Sequence, residues 1–275
     1  MKLISWNVAA RVKKQPQQLK AVMDQEPDLL ALQEVTSKTA QMWNAGLQEA
    51  GFKHVLTSFQ VSPEQEKLVG ARGRALLVAS RWPLKPLDQA GLDIPWKERL
   101  LSILVYHPHL EFELHNAYIP PGVTHDWLKI ETFEGIYNYL AHHNEIPRIL
   151  CGDYNSPKQE ISDGRTVVWG QYLLDDGTIE TPGDQRWAMG EKLVICDLEE
   201  YDLPDMYRQL NGWDAEDYSF VVWRKGRIVS QRRFDHVFAS KAFKPVTCQY
   251  NHVVRENWLS DHSSIAAEFN VLEGK

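Results

Sequence analysis

The sequence predicts an α/β fold in which two layers of β-sheet pack together and helices cover the outside. Apolar runs typical of strands and segments with helical spacing are interspersed along the whole chain, and this mixture favours a layered arrangement. No Pro/Gly/Ser-rich linker, low-complexity tract or repeat interrupts the 275 residues. Polar residues of catalytic type are scattered through both halves. We therefore expect one domain spanning residues 1–275.

The first predicted elements follow in the order strand, helix, strand. Residues 3–8 read as a buried strand, Leu19, Val22 and Met23 recur at helical spacing, and residues 29–32 form a second apolar run. Each of these two strands ends at a polar candidate residue. Further strands are predicted at residues 55–59, 76–79, 101–105, 149–151, 218–223, 234–239, 246–254 and 265–271.

A long amphipathic helix is predicted in the middle of the chain. It follows a half-exposed strand in which Phe112 and Leu114 alternate with charged and polar residues. The apolar positions that recur with helical spacing are Trp127, Ile130, Phe133, Ile136, Tyr137 and Leu140. Shorter helices are predicted at residues 42–47 and 205–210.

The composition indicates a soluble protein with a large core. Hydrophobic residues make up 43% and aromatic residues 11% of the chain. No segment approaches the ~18 apolar residues of a membrane span, and the start lacks the pattern of a signal peptide. Cys151, Cys196 and Cys248 have no metal-type spacing, which fits a reducing compartment. We expect a cytoplasmic monomer with no membrane partner.

The net charge of −7 disfavours nonspecific binding to polyanions, but the basic residues are clustered. Residues 224–233 contain five cations and no acid, and Arg72 and Arg74 form a smaller group. Such a run is usually a solvated loop. Because this run lies next to Asp235, we also consider that it faces a substrate. Its cations are Arg224, Lys225, Arg227, Arg232 and Arg233.

Six short blocks place amides, carboxylates, a phenol or an imidazole at or just after apolar runs. One block alone would indicate little, since a Gly-Asp-x-Asn sequence is also typical of a simple turn. Together they provide the groups that hydrolyse a phosphodiester with a divalent metal. The residues concerned are Asn7, Glu34, Tyr118, Asp153, Asn155, Asp235, Asp261 and His262.

The order of these blocks resembles the endonuclease/exonuclease/phosphatase superfamily, and most closely its exonuclease III and apurinic endonuclease branch. The resemblance runs from Leu3 to about Ile265. It implies a four-layer α/β sandwich with the site at one end of two paired sheets. It also implies hydrolysis of phosphate esters with Mg²⁺ or Mn²⁺, and it indicates the reaction better than the substrate.

The resemblance and the chemistry of the side chains together suggest the roles. Asp153 would orient or deprotonate the attacking water, Asn155 would donate to the phosphorane, and Tyr118 would face the scissile phosphate or the leaving group. His262 would donate to a phosphoryl oxygen with Asp235 as its partner. The expected metal ligands are Asn7, Glu34, Asp153, Asn155, Asp261 and His262. Arg208 is expected to be structural.

Several positions depart from the resembled branch. Ala9 and Ala10 stand where it usually has Asn-Gly or Asp-Gly. Arg232 stands where its abasic-sugar pocket usually has an aromatic residue, although Phe220 keeps the other aromatic position. These departures weigh against abasic-site specificity. The expected substrate-binding residues are Phe220, Arg74, Arg232 and Arg233.

The predicted function is a DNA nuclease of the exonuclease III type, acting as a 3′→5′ exonuclease or an endonuclease and leaving a 5′-phosphate. The alternative is a phosphatase or phosphodiesterase that acts on a small phosphorylated molecule, a lipid headgroup or RNA, which the net charge of −7 favours. A binding module with a dead site is disfavoured, because every hydrolytic position is filled.

Overall fold

The β-strands form the centre of the molecule. The structure, a computed structural model, describes residues 1–271. In chain order the strands are β1 (Lys2–Asn7), β2 (Leu29–Val35), β3 (His54–Thr57), β4 (Ala75–Ser80), β5 (Leu84–Pro86), β6 (Leu100–His107), β7 (Leu110–Tyr118), β8 (Arg148–Asp153), β9 (Gln159–Glu160), β10 (Thr166–Val167), β11 (Tyr172–Leu173), β12 (Ile179–Glu180), β13 (Phe220–Arg224), β14 (Arg227–Arg232), β15 (Asp235–Ala239), β16 (Phe243–Asn251) and β17 (Ser264–Val271).

The helices lie in the connections between these strands. The α-helices are α1 (Gln15–Met23), α2 (Ser37–Glu49), α3 (Ser58–Val61), α4 (Gly122–His125), α5 (Trp127–Leu140), α6 (Gln185–Ile195), α7 (Met206–Asn211) and α8 (Val253–Glu256). Short 3₁₀ helices occur at Val12–Lys14, Gln65–Lys67, Gly70–Gly73, Lys97–Arg99 and Asp197–Tyr201. Within residues 1–271, no helix has both the length and the apolar composition needed to cross a membrane.

Two mixed sheets carry the fold. The six-stranded sheet has the order β16-β17-β1-β2-β4-β3, and the five-stranded sheet has the order β15-β8-β7-β6-β5. Each contains a parallel pair, β1 with β2 and β7 with β8. Since parallel strands point the same way, the ends of β1 and β2 lie at one edge of the first sheet, and those of β7 and β8 at one edge of the second. The remaining strands form the hairpins β9–β10, β11–β12 and β13–β14.

Three apolar clusters separate four layers. The inner cluster joins the two sheets and contains Leu29 from one sheet and Ile103 from the other. A second cluster packs α1 and α2, with Trp43, on the outer face of the six-stranded sheet. A third packs α5 and α6, with Phe133 and Val194, on the outer face of the five-stranded sheet. The predicted four-layer α/β sandwich is confirmed.

Some predicted elements were wrong in extent or were missed. The strand predicted at residues 55–59 ends at Thr57, because Gln60 Oε1 accepts the Thr57 backbone N–H at 2.8 Å and α3 starts there. The strand predicted at residues 246–254 ends at Asn251, and α8 follows it. The longest elements that were not predicted are β14, which is rich in charge, and α6, which lies in the acidic middle of the chain.

Candidate active site

The ends of β1 and β2 supply an amide and a carboxylate. Asn7 is the last residue of β1 and pairs with Gln33 of β2. The next residue, Glu34, has a φ of 58°, and the pairing of β2 with β4 shifts register between Leu32 and Val35. Such a bulge redirects a side chain at the end of a strand. Glu34 is thereby placed next to Asn7, at the edge that faces the second sheet.

The second sheet contributes a row of three side chains. Asp153 at the end of β8 lies opposite Tyr118 of β7 on one side and opposite Asp235 of β15 on the other. Residues directly opposite each other project on the same face of a sheet. Gly152 precedes Asp153 with a φ of 143°, and a Cβ there would lie 1.9 Å from the carbonyl oxygen of Ala117. Glycine is therefore required for β8 to approach β7 at this point.

Hydrogen bonds join the two sets across the sheets. Asn7 Nδ2 donates to Asp153 Oδ2 at 2.8 Å and lies 3.4 Å from Glu34 Oε1. The Tyr118 hydroxyl donates to Glu34 Oε1 at 2.7 Å. The backbone N–H of Asn155 donates to Asp153 Oδ1 at 2.9 Å. Both oxygens of the buried Asp153 carboxylate are therefore held in a fixed orientation.

The loop before β17 brings in His262. The Trp6 indole donates to the His262 carbonyl at 3.0 Å, and Ser260 Oγ donates to the Asn7 carbonyl at 2.6 Å, so this loop is fastened to β1. His262 Nδ1 lies 2.7 Å from Asp235 Oδ2, and His262 Nε2 lies 3.8 Å from Asp153 Oδ2. The loop is thus held by β1, and its imidazole lies between Asp235 and Asp153.

The charges of this group are strongly coupled. Burial raises the pKa of Asp153 above its ordinary value, and the Asp235 carboxylate adds to this while His262 opposes it. Burial alone would lower the pKa of His262, but the carboxylates of Asp235 and Asp153 raise it above its ordinary value. Burial and the Glu34 carboxylate raise the pKa of Tyr118, so its phenol stays protonated. The imidazole is therefore cationic at neutral pH, and the phenol is a hydrogen-bond donor.

One cavity of about 740 Å³ opens over these residues. Its floor contains hydrolytic candidates, and its walls include the β13–β14 hairpin and two tryptophans. The predicted residues that line it are Glu34, Arg74, Tyr118, Asp153, Asn155, Phe220, Arg232, Asp261 and His262. Within it, Arg74 Nη1 lies 2.7 Å from Glu34 Oε2. Asp261 is exposed at the rim, whereas His262 is 5% exposed.

Four of the pocket or supporting residues that were not predicted from the sequence form one hydrogen-bonded group. Trp169, Trp187 and Lys129 all line the pocket. Lys129 Nζ donates to the Asn155 carbonyl at 3.0 Å and to Glu191 Oε1 at 3.0 Å. The Trp169 indole also donates to the Asn155 carbonyl, at 3.0 Å, and the Trp187 indole donates to Glu191 Oε1 at 3.0 Å. Lys129, Trp169 and the α6 pair of Trp187 and Glu191 lie in separate segments without a recognisable motif.

Arg233 lies outside the pocket. Its guanidinium is 4% exposed and pairs with Asp205 at 2.8 Å and with Glu160 at 2.5 Å. Arg208 pairs with the same Glu160 carboxylate at 2.8 Å. The expectation that Arg233 binds substrate is therefore not retained. Its neighbour Arg232 does line the pocket, because adjacent residues in extended backbone point in opposite directions.

The comparison with known families agrees with this arrangement. The sequence model of the Endonuclease/Exonuclease/phosphatase family matches residues 4–262. The chain belongs to this family. Members of the Endonuclease/Exonuclease/phosphatase family hydrolyse phosphoester bonds and depend on divalent metals. Among curated proteins, none matches this sequence.

Solved structures share the family fold at low sequence identity. An AP endonuclease from Archaeoglobus fulgidus is 21% identical with a TM-score of 0.70, and the match covers 98% of this chain and 100% of that one. The 3′ phosphatase NExo from Neisseria, bound to a product DNA hairpin, is 18% identical with a TM-score of 0.65, and the match covers 98% and 99%. An endonuclease/exonuclease/phosphatase from Beutenbergia cavernae is 18% identical with a TM-score of 0.64, and the match covers 98% and 71%.

The side chains fit the divalent metal on which the family depends. Mg²⁺ prefers a few carboxylate or amide oxygens, and Glu34 and Asp153 lie on either side of the Asn7 amide. Ligand atoms of Asp153, Asp235 and His262 also lie within 4.8 Å of one another. Since His262 and Asp235 already form a short ion pair, the carboxylates of Glu34 and Asp153 are the groups that could hold the metal.

Proposed function

We propose that this protein is a divalent-metal-dependent phosphodiesterase whose substrate is DNA. The observation that carries the proposal is the convergence of Glu34, Asp153 and His262 on one pocket, with Asn7 buried beside them and bonded to Asp153. Hydrolysis of a phosphodiester needs an activated water, neutralised phosphoryl charge and a stabilised leaving group. The four residues offer groups for each of these tasks.

Asp153 is the proposed acceptor of the proton from the attacking water. Its raised pKa makes the carboxylate a better base than an ordinary aspartate. Asn7 and the backbone of Asn155 each hold one of its oxygens, which fixes the direction of attack. The side chain of Asn155 also lines the pocket, where it would donate to the phosphoryl oxygens as charge develops.

His262 is the proposed donor to a phosphoryl oxygen. Asp235 holds Nδ1, so the Nε2 proton of the imidazolium points away from Asp235, on the side of Asp153. Tyr118, held as a phenol by its hydrogen bond to Glu34, would donate near the leaving group. When bound by the carboxylates of Glu34 and Asp153, Mg²⁺ or Mn²⁺ would neutralise phosphoryl charge. Asn7 turns its Nδ2 towards both carboxylates and is proposed to orient them, and His262 is proposed as a donor and not as a ligand. Asn155 and Asp261 remain predicted ligands.

DNA is proposed as the substrate for two reasons. Two similar structures are described as an AP endonuclease and as a 3′ phosphatase bound to a DNA hairpin. In this chain the β13–β14 hairpin carries Arg224, Lys225 and Arg227 beside the pocket, and phosphate backbones are bound mainly by such cations. Aromatic residues in the pocket, among them Trp169 and Phe220, provide surfaces on which bases stack.

A small phosphorylated molecule is the second candidate substrate. The net charge of −7 is unfavourable for binding long polyanions. The cavity of about 740 Å³ is in the range typical of sites for small ligands. These observations favour a monomeric phosphate ester or a short oligonucleotide over a long duplex.

The deciding experiment compares polymers and small esters under one set of conditions. Labelled duplex DNA, single-stranded DNA, an abasic duplex and RNA are incubated with the protein, with and without Mg²⁺, beside small phosphate esters. We expect Mg²⁺-dependent cleavage of DNA that leaves 5′-phosphate ends. If small esters are hydrolysed and no polymer is cleaved, the substrate is a small phosphorylated molecule and not DNA. An Asp153→Asn protein is the control for contaminating nucleases.

A further inference from the structure

Two buried polar atoms in the pocket wall have no hydrogen-bond partner among the described residues. The Nε atom of Arg232 and the Oγ atom of Ser230 are both buried, and neither has a hydrogen-bond partner among residues 1–271. They lie two residues apart on β14, so their side chains share one face of the hairpin. Both residues line the pocket that contains His262 and Asp153. A buried donor without an acceptor costs about 1–3 kcal/mol, so the pair needs an explanation.

The backbone places these groups beside the hydrolytic residues. Phe220 of β13 pairs with Arg232 on one side and forms a bridge with His262 on the other. Neighbouring strands lie about 4.8 Å apart, so the backbones of Arg232 and His262 are roughly 10 Å apart. Residues that are directly opposite project on the same face. Arg232 therefore reaches into the pocket one strand beyond Phe220, whose ring centroid lies 5.0 Å from that of His262.

The Arg232 guanidinium carries a charge that no carboxylate within residues 1–271 balances. It forms no ion pair with a carboxylate of residues 1–271, and its only hydrogen bond runs from Nη1 to the carbonyl of Gln231 at 3.1 Å. Burial lowers the pKa of Arg232 from its ordinary value. Its positive charge in turn helps to lower the pKa of Lys158, after burial itself, so a second cation lies nearby. The adjacent Arg233, by contrast, has two carboxylate partners.

We propose that Arg232 and Ser230 form a second phosphate subsite, which binds a phosphate group next to the phosphoester that is hydrolysed at His262. A guanidinium offers planar donors that match phosphate oxygens, and a serine hydroxyl adds another donor. The Trp169 ring, whose centroid lies 5.9 Å from Arg232 Cζ, would pack beside the nucleoside that joins the two phosphates. The inference rests on the proposed phosphodiesterase function and narrows its substrates to molecules with at least two phosphates.

The test uses three thymidine dinucleotides. One contains only the internal phosphodiester, one has an added 5′-phosphate, and one has an added 3′-phosphate, so the last two distinguish the side on which the second phosphate lies. We expect kcat/KM to be about 10-fold higher or more for one of the phosphorylated dinucleotides, since a charge-assisted hydrogen bond contributes about that factor. The Arg232→Met variant should reduce this ratio to about one.

A matched variant separates the subsite from the general charge of the hairpin. Arg227→Met also removes one cation from β14, but Arg227 is exposed and does not line the pocket, so the ratio should persist. Equal kcat/KM for all three dinucleotides, or a ratio that Arg232→Met leaves unchanged, overturns the subsite while the phosphodiesterase function stands.

A binding measurement tests the phosphate subsite separately from the proposed phosphodiesterase function. If no dinucleotide is hydrolysed, the proposed function fails for these substrates, and isothermal titration calorimetry in EDTA decides the subsite. Tighter binding of a phosphorylated dinucleotide, lost in Arg232→Met, supports it. Equal affinities for all three dinucleotides overturn it.

Discussion

His262 Nδ1 lies 2.7 Å from Oδ2 of Asp235. Asp235 belongs to β15, His262 lies in the loop before β17, and both side chains are buried. The other oxygen, Asp235 Oδ1, is buried and has no hydrogen-bond partner among residues 1–271. The carboxylate is thus directed at one imidazole nitrogen. The opposite nitrogen, Nε2, lies 3.8 Å from Asp153.

The first prediction concerns the charge of this imidazole. In Asp235→Asn the pKa of His262 should fall, because burial then acts with less opposition from carboxylates. The titration is measured by NMR of the metal-free protein. We also expect kcat to fall by ~10² or more, the scale of a lost acid–base contact. His54→Ala, on the edge strand β3, is the control and should retain activity. If the pKa of His262 is unchanged in Asp235→Asn, Asp235 does not control the charge of the imidazole and the proposed role of the pair is wrong.

The second prediction concerns Arg74, whose Nη1 forms an ion pair with Glu34 Oε2 at 2.7 Å. Arg74→Met should bind Mg²⁺ or Mn²⁺ more tightly, because one competitor for the carboxylate and one nearby positive charge are lost. A charge about 4 Å away in water contributes about 1 kcal/mol, so the expected gain is roughly 5-fold in Kd. Calorimetry on the metal-free protein measures it. Arg81→Met should leave the Kd unchanged, and weaker metal binding by Arg74→Met would contradict the competition.

The third prediction concerns stability in acid. Burial alone would raise the pKa of Glu160, but Arg233 and Arg208 lower it from 4.5 to about 2. Because the folded pKa is the lower one, this carboxylate stabilises the fold above about pH 4.5, and its contribution is lost as the pH falls towards about 2. In that window Glu160→Gln should reduce the slope of the unfolding free energy by up to about 1.4 kcal/mol per pH unit.

Urea unfolding at a series of pH values measures that slope. Glu49→Gln, an exposed carboxylate at the end of α2, provides the comparison and should leave the slope as it is. Identical slopes in Glu160→Gln and the unmodified protein would mean that the ion-pair cluster persists, or is already broken, throughout this range.

The fourth prediction concerns Gly152. An alanine there would place its Cβ 1.9 Å from the Ala117 carbonyl oxygen at a φ of 143°. We expect Gly152→Ala to lower the free energy of unfolding by about 3 kcal/mol or more and to displace Asp153. Gly183→Ala, where an added Cβ meets nothing within 4 Å, should change stability by no more than about 0.5 kcal/mol. Similar losses in the two variants would contradict this account.

The fifth prediction concerns the buried pair of Lys129 and Glu191. Lys129→Met leaves the Glu191 carboxylate without its cation, so a loss of about 3–5 kcal/mol is expected. The double variant Lys129→Met, Glu191→Leu should lose less unfolding free energy than Lys129→Met alone, because no unpaired buried charge remains. Lys38→Met on the exposed face of α2 is the control. Additive losses in the double variant would show that the two charges do not depend on each other.

The hydrolytic residues could be predicted because each follows a short apolar run. Glu34, Asp153 and Tyr118 lie at the ends of strands, where local pattern and resemblance agree, and the structure brings them together. The direction of a side chain within a charged run is a different matter. Arg232 and Arg233 are adjacent and chemically alike, yet one faces the pocket and the other is buried among carboxylates.

Most contacts of the supporting residues could not be predicted, because the partners are distant in sequence. Glu191 receives hydrogen bonds from Lys129 and Trp187, and Ser156 donates to its other oxygen. Only the bond from Trp187 is local, four residues apart within α6, whereas those from Lys129 and Ser156 depend on how distant segments pack. The strand predicted beyond Thr57 failed for a local reason, the turn formed with Gln60, which outweighed the apolar run.

The bond from the Trp6 indole to the His262 carbonyl spans 256 residues of sequence. Strand β1, which carries Asn7, is flanked by β2 and by the late strand β17. During synthesis on the ribosome, Asn7 and Glu34 emerge long before the imidazole that completes the centre. A nascent chain therefore cannot assemble this group of side chains until β17 is free to pair with β1.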